Sequence, residues 1–165
     1  MSLPTHSTAR CHCGLIDVHA QGGPAMLEAA VEAVSAHRRA GGQTELLAVT
    51  VLTSLDREAL AALGHAGQPE DLALAYAKLA HRAGCGGVIC SAWEAAAIRD
   101  ACGEGFHRLT PGIRPTGAAI QDQARVMTPA QALKQGSTWL VVGRPITHAA
   151  DPAAAAEAIV AEMEL

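Results

Sequence analysis

Thr110-Pro111-Gly112-Ile113-Arg114-Pro115 ends one short apolar run, and Val141-Val142-Gly143-Arg144-Pro145-Ile146-Thr147 ends another. Each run stops in a glycine-bearing loop that carries an arginine, and Asp122-Gln123 lies between the two. In a parallel β/α sheet, residues just beyond the strand ends converge on one rim, where ligands bind. Gly143 lets the backbone approach a ligand closely. Arg144 can offer a phosphate a bidentate, charge-assisted contact. Gln123 adds neutral donors. A lone arginine in such a place is most simply a surface residue paired with a nearby acid. Two arginines at consecutive strand ends, each beside glycine, fit the binding of a phosphate monoester.

Working outward from these loops, short β-rich runs alternate with longer alanine-rich ones. Strands are expected over 15–20, 46–52, 87–91, 107–110 and 138–143. They are continuous apolar runs, which suits strands covered on both faces. Helices are expected over 24–39, 69–83, 93–101, 129–135 and 152–163. Leu72, Ala75, Tyr76, Leu79, Ala80 and Ala83 form a stripe at helical spacing. Pro24, Pro69, Pro129 and Pro152 sit where helices begin, with Asp151 as an N-cap, and Gly84 and Gly136 follow helix ends. The order is β-α repeated about five times, which predicts an α/β fold with a parallel sheet, either doubly wound or part of a barrel. No Gly-x-Gly-x-x-Gly follows the first strand, so a dinucleotide fold is disfavoured.

The bulk properties narrow the function classes. The chain has 165 residues, enough for one domain with a real core. Half of it is hydrophobic but only 2% is aromatic, so the core must be built from Ala, Val, Leu and Ile. A net charge of −4 gives no basic field to recruit nucleic acid. No apolar run reaches the roughly 18–20 residues that span a bilayer, and residues 1–10 hold no signal-like apolar segment. A soluble, cytoplasmic protein without membrane association is expected. The five cysteines are odd in number and irregular in spacing, against a disulfide framework. Cys11-His12-Cys13 has the wrong spacing for zinc and reads as free thiols in a leader over residues 1–13, so no metal site is assigned.

A set of segments, taken in order, resembles the orotidine 5'-phosphate decarboxylase family. They are Val18-His19-Ala20-Gln21-Gly22-Gly23, Val49-Thr50-Val51-Leu52-Thr53-Ser54, Val88-Ile89-Cys90-Ser91-Ala92, Thr110 to Pro115, Asp122-Gln123, Met127-Thr128-Pro129 and Val142 to Thr147. The resemblance runs from Gly14 to Leu165 and implies a (β/α)8 barrel domain, here incomplete, over 14–165. It implies conversion of orotidine 5'-phosphate to UMP and carbon dioxide in pyrimidine biosynthesis, with no metal or organic cofactor. It further implies that Arg144, the Gly143 backbone and Gln123 bind the 5'-phosphate and that Arg114 closes that side. Ser91 and Pro111 would line the pyrimidine pocket, Thr53 would contact the ligand, and His19 would support the rim. Hydroxyls at strand ends such as Thr53 and Ser91 also commonly satisfy backbone groups.

The resemblance implies one more segment, an Asp-x-Lys-x-x-Asp whose lysine and carboxylates carry proton transfer through a preorganised charge array. The sequence contains none, and its lysines, Lys78 and Lys134, both fall in expected helices. Asp17 lies at a strand but has no lysine partner, so no catalytic residue is assigned. A full β/α barrel has eight units and about 250 residues. The chain therefore reads as the C-terminal part of such an enzyme, from the fourth strand on, with an unrelated leader. Exposed strand edges would then favour self-association or a homo-oligomer. Two rivals stand beside this reading: another phosphate-binding barrel enzyme, such as a hexulose-phosphate synthase or ribulose-phosphate epimerase relative, and a degenerate domain that binds a nucleotide without catalysis.

Overall fold

The structure, a computed structural model, describes residues 13–115 and 126–164. Five parallel strands form one sheet: β1 (Leu15–His19), β2 (Glu45–Val49), β3 (Gly87–Ile89), β4 (His107–Thr110) and β5 (Trp139–Leu140). Their spatial order is their chain order. A doubly wound sheet reverses direction partway, whereas a β/α barrel winds one way. The observed order therefore decides between the two, in favour of barrel-type winding.

Among the described residues, seven α-helices connect and follow the strands: α1 (Pro24–Arg39), α2 (Arg57–Ala62), α3 (Pro69–Ala83), α4 (Ala95–Cys102), α5 (Pro129–Lys134), α6 (Arg144–Thr147) and α7 (Pro152–Met163). A proline opens α1, α3, α5, α6 and α7, where its missing N–H costs nothing. Asp151 accepts the amides of Ala153 and Ala154, both at 3.1 Å, and Thr128 forms a capping box with Gln131. Gly84 ends α3 in the left-handed region at φ 90°, which a side chain would resist. None of these helices is long and apolar enough to cross a membrane.

The main core lies on one face of the sheet. Ile16, Val18, Leu46, Ala48, Val88 and Cys90 point towards Leu27, Ala77, Ala80 and Ile98 of the helices. Ala20, Ala48, Ala73, Ala77, Ala80 and Ala95 are fully buried, so methyl-sized side chains set the distance between the layers. This is the aromatic-poor core that the composition demands. Burial holds the thiols of Cys85 and Cys102 above their usual titration range, so both stay protonated and unreactive.

Several expected boundaries shift. β2, β3 and β5 are shorter than their apolar runs, because residues such as Val51 and Val142 pack beside the sheet after pairing has ended. α4 spans 95–102 rather than 93–101, since Ala92-Trp93-Glu94 form a turn first. Helices α2 and α6 were not expected: four to six residues are too few to show a periodic stripe. β1 also departs from the expectation of strands covered on both faces. It alternates exposed and half-buried positions, with Leu15 42% exposed, because it pairs only with β2 and one of its faces is uncovered.

Candidate active site

The register carries the loops after β2, β4 and β5 to the same end of the sheet. There, a cleft of about 170 Å³ is lined by Thr53, Pro111, Gly112, Arg114, Gly143 and Arg144, with Val141 at its edge. Five of the seven residues expected to bind ligand thus share one wall system: Thr53, Pro111, Arg114, Gly143 and Arg144. A second cavity of about 250 Å³ adjoins it through Thr53 and Pro111 and is lined mainly by Val49, Val51, Leu52, Ile89 and Cys90. A cationic compartment therefore sits beside an apolar one, the combination that an amphipathic ligand with one anionic end requires.

Local chemistry explains how each arginine is held. β4 ends at the fully buried Thr110, whose hydroxyl donates to the Trp139 carbonyl at 3.3 Å. Gly112 then turns the chain at φ 79°, a left-handed conformation suited to glycine. Ile113 drops into a small core with Ala92 and Ala132 and pairs as a parallel bridge with Met127. Arg114 follows with its backbone N–H donating to the Met127 carbonyl at 3.0 Å and its Nη1 donating to the Ile113 carbonyl at 2.9 Å. The residue is only 7% exposed, yet its Nε finds no acceptor within the described residues. A buried cationic side chain in the lining of a cleft, with one donor lacking an acceptor among the described residues, fits an anionic ligand at that cleft.

Arg144 begins α6, and Gly143 accepts the amides of Ile146 and Thr147, which fixes the loop behind the arginine. A Cβ placed on Gly143 would meet nothing within 4 Å, and Gly143 belongs to the cleft lining. Thr53 is 7% exposed and borders both cavities.

The other expected positions fall elsewhere. Ser91 is 1% exposed and borders neither of these two cavities. Its hydroxyl accepts the Trp93 amide at 3.3 Å, while its own amide donates to Glu94 Oε2 at 2.7 Å. It thus does the backbone-satisfying work that strand-end hydroxyls commonly do. Gln123, with Asp122, lies outside the described residues. His19 is exposed at the end of β1 and does not border the cleft. Lys78 and Lys134 are exposed on α3 and α5. No metal-holding cluster of His, Cys, Asp or Glu occurs among the described residues, which include Cys13 but not Cys11 or His12. The apolar lining from Val49 and Ile89 was missed by sequence reading, although both are alternate-face positions of expected strands.

The chain is similar to proteins of one family. The model of the "Orotidine 5'-phosphate decarboxylase / HUMPS family" matches residues 6–159. The orotidine 5'-phosphate decarboxylase of Halorhodospira halophila is 55% identical over 149 residues, covering 90% of this chain and 62% of that protein. The one from Nitrosococcus oceani is 50% identical, covering 90% and 63%. This chain therefore spans less than two thirds of the length of these relatives. Among solved structures, orotidine 5'-phosphate decarboxylase from Lactobacillus acidophilus superposes with a TM-score of 0.82 at 37% identity, covering 98% of this chain and 68% of that one. The enzyme from Pyrococcus horikoshii gives 0.67 at 22% identity, a likeness of fold.

Proposed function

This chain belongs to the orotidine 5'-phosphate decarboxylase / HUMPS family, and from that premise we propose that its rim cleft binds the phosphate of orotidine 5'-phosphate or UMP. Arg144, the Gly143 backbone and Gln123 hold the phosphate dianion, and Arg114 flanks it. Thr53 and Pro111 mark the passage to the pyrimidine end, where Ser91 is the remaining hydroxyl. The observation that carries this reading is the convergence of Thr53, Pro111, Arg114, Gly143 and Arg144 on one cleft, with the Arg114 guanidinium buried. The curated relatives at 50–55% identity favour a decarboxylase homologue over another phosphate-binding barrel.

The family reaction expels carbon dioxide from orotidine 5'-phosphate, and it needs a proton donor and opposing carboxylates at the reacting carbon. The 165-residue sequence has no Asp-x-Lys-x-x-Asp, and its two lysines sit on helix surfaces away from the cleft. This supports ligand binding without turnover by the 165-residue chain acting alone. The exposed face of β1 supports its self-association, which light scattering would show as a mass above that of one chain; a strictly monomeric solution would contradict it.

Calorimetric titration with UMP tests the binding assignment. Arg144→Ala should weaken UMP by about 1.5–3 kcal/mol, roughly ten- to hundredfold. Equal affinity in both proteins would remove the phosphate assignment. Release of carbon dioxide from orotidine 5'-phosphate by the purified chain, at a rate well above background, would overturn the binding-only assignment.

A further inference from the structure

Trp93 is 55% exposed, unusual for so large an apolar ring, and the main core does not use it. Its indole Nε1–H nevertheless reaches across the rim to donate to the Val126 carbonyl at 3.3 Å. Its backbone is pinned as well, through the amide that donates to Ser91 Oγ. Val126 is joined to Met127, and Met127 is the residue whose carbonyl accepts the Arg114 amide and whose strand-like bridge pairs with Ile113. The segment Val126–Met127 is thus gripped on one side by Trp93 and on the other by Arg114. Beneath it, Ala92, the neighbour of Trp93, and Ile113, the neighbour of Arg114, share one small buried cluster with Ala132.

We propose that Trp93 is a positioning residue for Arg114. By holding Val126 through its indole N–H, it fixes the backbone on which Arg114 hangs, and so keeps Arg114 in its place in the lining of the cleft. This rests on the reading of the cleft as a phosphate site. The chemistry is specific to the indole: phenylalanine would give similar cover on the surface but has no N–H to donate. A binding group must be held to within about half an ångström for its full effect, so a slackened Val126–Met127 segment would be felt as lost affinity.

Trp93→Phe removes the donor and keeps a ring at a half-exposed position, so folding is preserved and the melting temperature serves as the control. UMP affinity, measured by calorimetry, should weaken about fivefold, the usual scale of one neutral hydrogen bond. The same substitution in an Arg114→Met background should have no further effect, because the group being positioned is gone. A merely structural role for Trp93 would not produce that dependence. Trp93→Phe affinity within about twofold of the parent would overturn the proposal, and so would a fivefold loss that persists without Arg114. If the parent chain binds no UMP, or Arg144→Ala binds it equally well, the phosphate reading itself falls and takes this proposal with it. Binding by the parent that is lost in Arg144→Ala but unchanged in Trp93→Phe removes only the role of Trp93.

Discussion

Arg108 Nε donates to the Gly136 carbonyl at 2.6 Å, and this contact joins β4 to the turn that leads into β5. The same side chain, 3% exposed, donates through Nη1 to the carbonyls of Gly103 and Phe106, at the turn before β4. Thr138 completes the tie by accepting the Arg108 amide at 2.8 Å. One buried cation therefore satisfies the carbonyl ends of two successive connections, those that lead into β4 and β5.

Arg108→Met should accordingly destabilise the chain by about 2–4 kcal/mol, since several buried carbonyls lose their donors together. Urea denaturation measures this. A loss below about 1 kcal/mol would show that water replaces the guanidinium without penalty. The ion pair of Arg108 with Glu104, at 3.8 Å and 81% exposed on the acidic side, contributes little, so Glu104→Gln should leave the midpoint almost unchanged.

Two glycines should separate stability from binding. A Cβ on Gly87 would lie 2.4 Å from the His107 carbonyl oxygen and 2.8 Å from its Cα, so β3 and β4 would have to move apart. Gly87→Ala is expected to cost about 1–3 kcal/mol, as overpacking does. A Cβ on Gly143 would meet no atom within 4 Å, so Gly143→Ala should leave stability nearly intact, and under the proposed backbone contact with the phosphate it should weaken UMP. Thermal melts paired with UMP titrations give both answers, and a Gly143→Ala protein that binds UMP normally would contradict the backbone contact.

Arg114 should trade stability for affinity. Its Nε is buried without an acceptor among the described residues, an arrangement that costs the folded chain free energy. Arg114→Met keeps most of the volume and removes the charge. It should leave stability unchanged or raise it by about 1 kcal/mol, while UMP binding falls at least about tenfold. A large drop in melting temperature would instead make Arg114 a structural residue.

Thiol chemistry should divide the cysteines by burial. Cys13 is exposed and should react at once with a disulfide reagent, whereas Cys85, Cys90 and Cys102 should wait for unfolding. Burial raises the folded-state titration of Cys85 and Cys102 above the ordinary value of 9.0. Their contribution to stability is therefore fully present below about pH 9, where both states are protonated. It declines as pH rises and the unfolded thiols ionise first. Serine at both positions should flatten this alkaline decline in a pH series of denaturation curves.

Much of this molecule was legible because its punctuation is strong. α1, α3 and α7 begin at Pro24, Pro69 and Pro152 and end where the sequence indicates, because proline and glycine act through local backbone geometry. β4 was read at its observed bounds, whereas β2, β3 and β5 read too long because an apolar run reports burial, and burial continues past the last paired residue. Of the site, the glycine–arginine loops were visible, since they are contiguous in sequence. The bond that the Ser91 hydroxyl accepts from the Trp93 amide was not legible, because it depends on a turn rather than on residue type. The bond from Trp93 to Val126 could not be read at all: no local rule connects them until the chain has folded back.

The fully buried alanines between sheet and helices carry a further consequence for how such a chain can change over time. With methyl groups as spacers, the layers have nowhere to accept bulk, so drift in the interior is confined to swaps of nearly equal size. Novelty must then accumulate in the loops at the sheet's carboxyl end, where length and charge are free to vary, while the scaffold beneath stays nearly fixed.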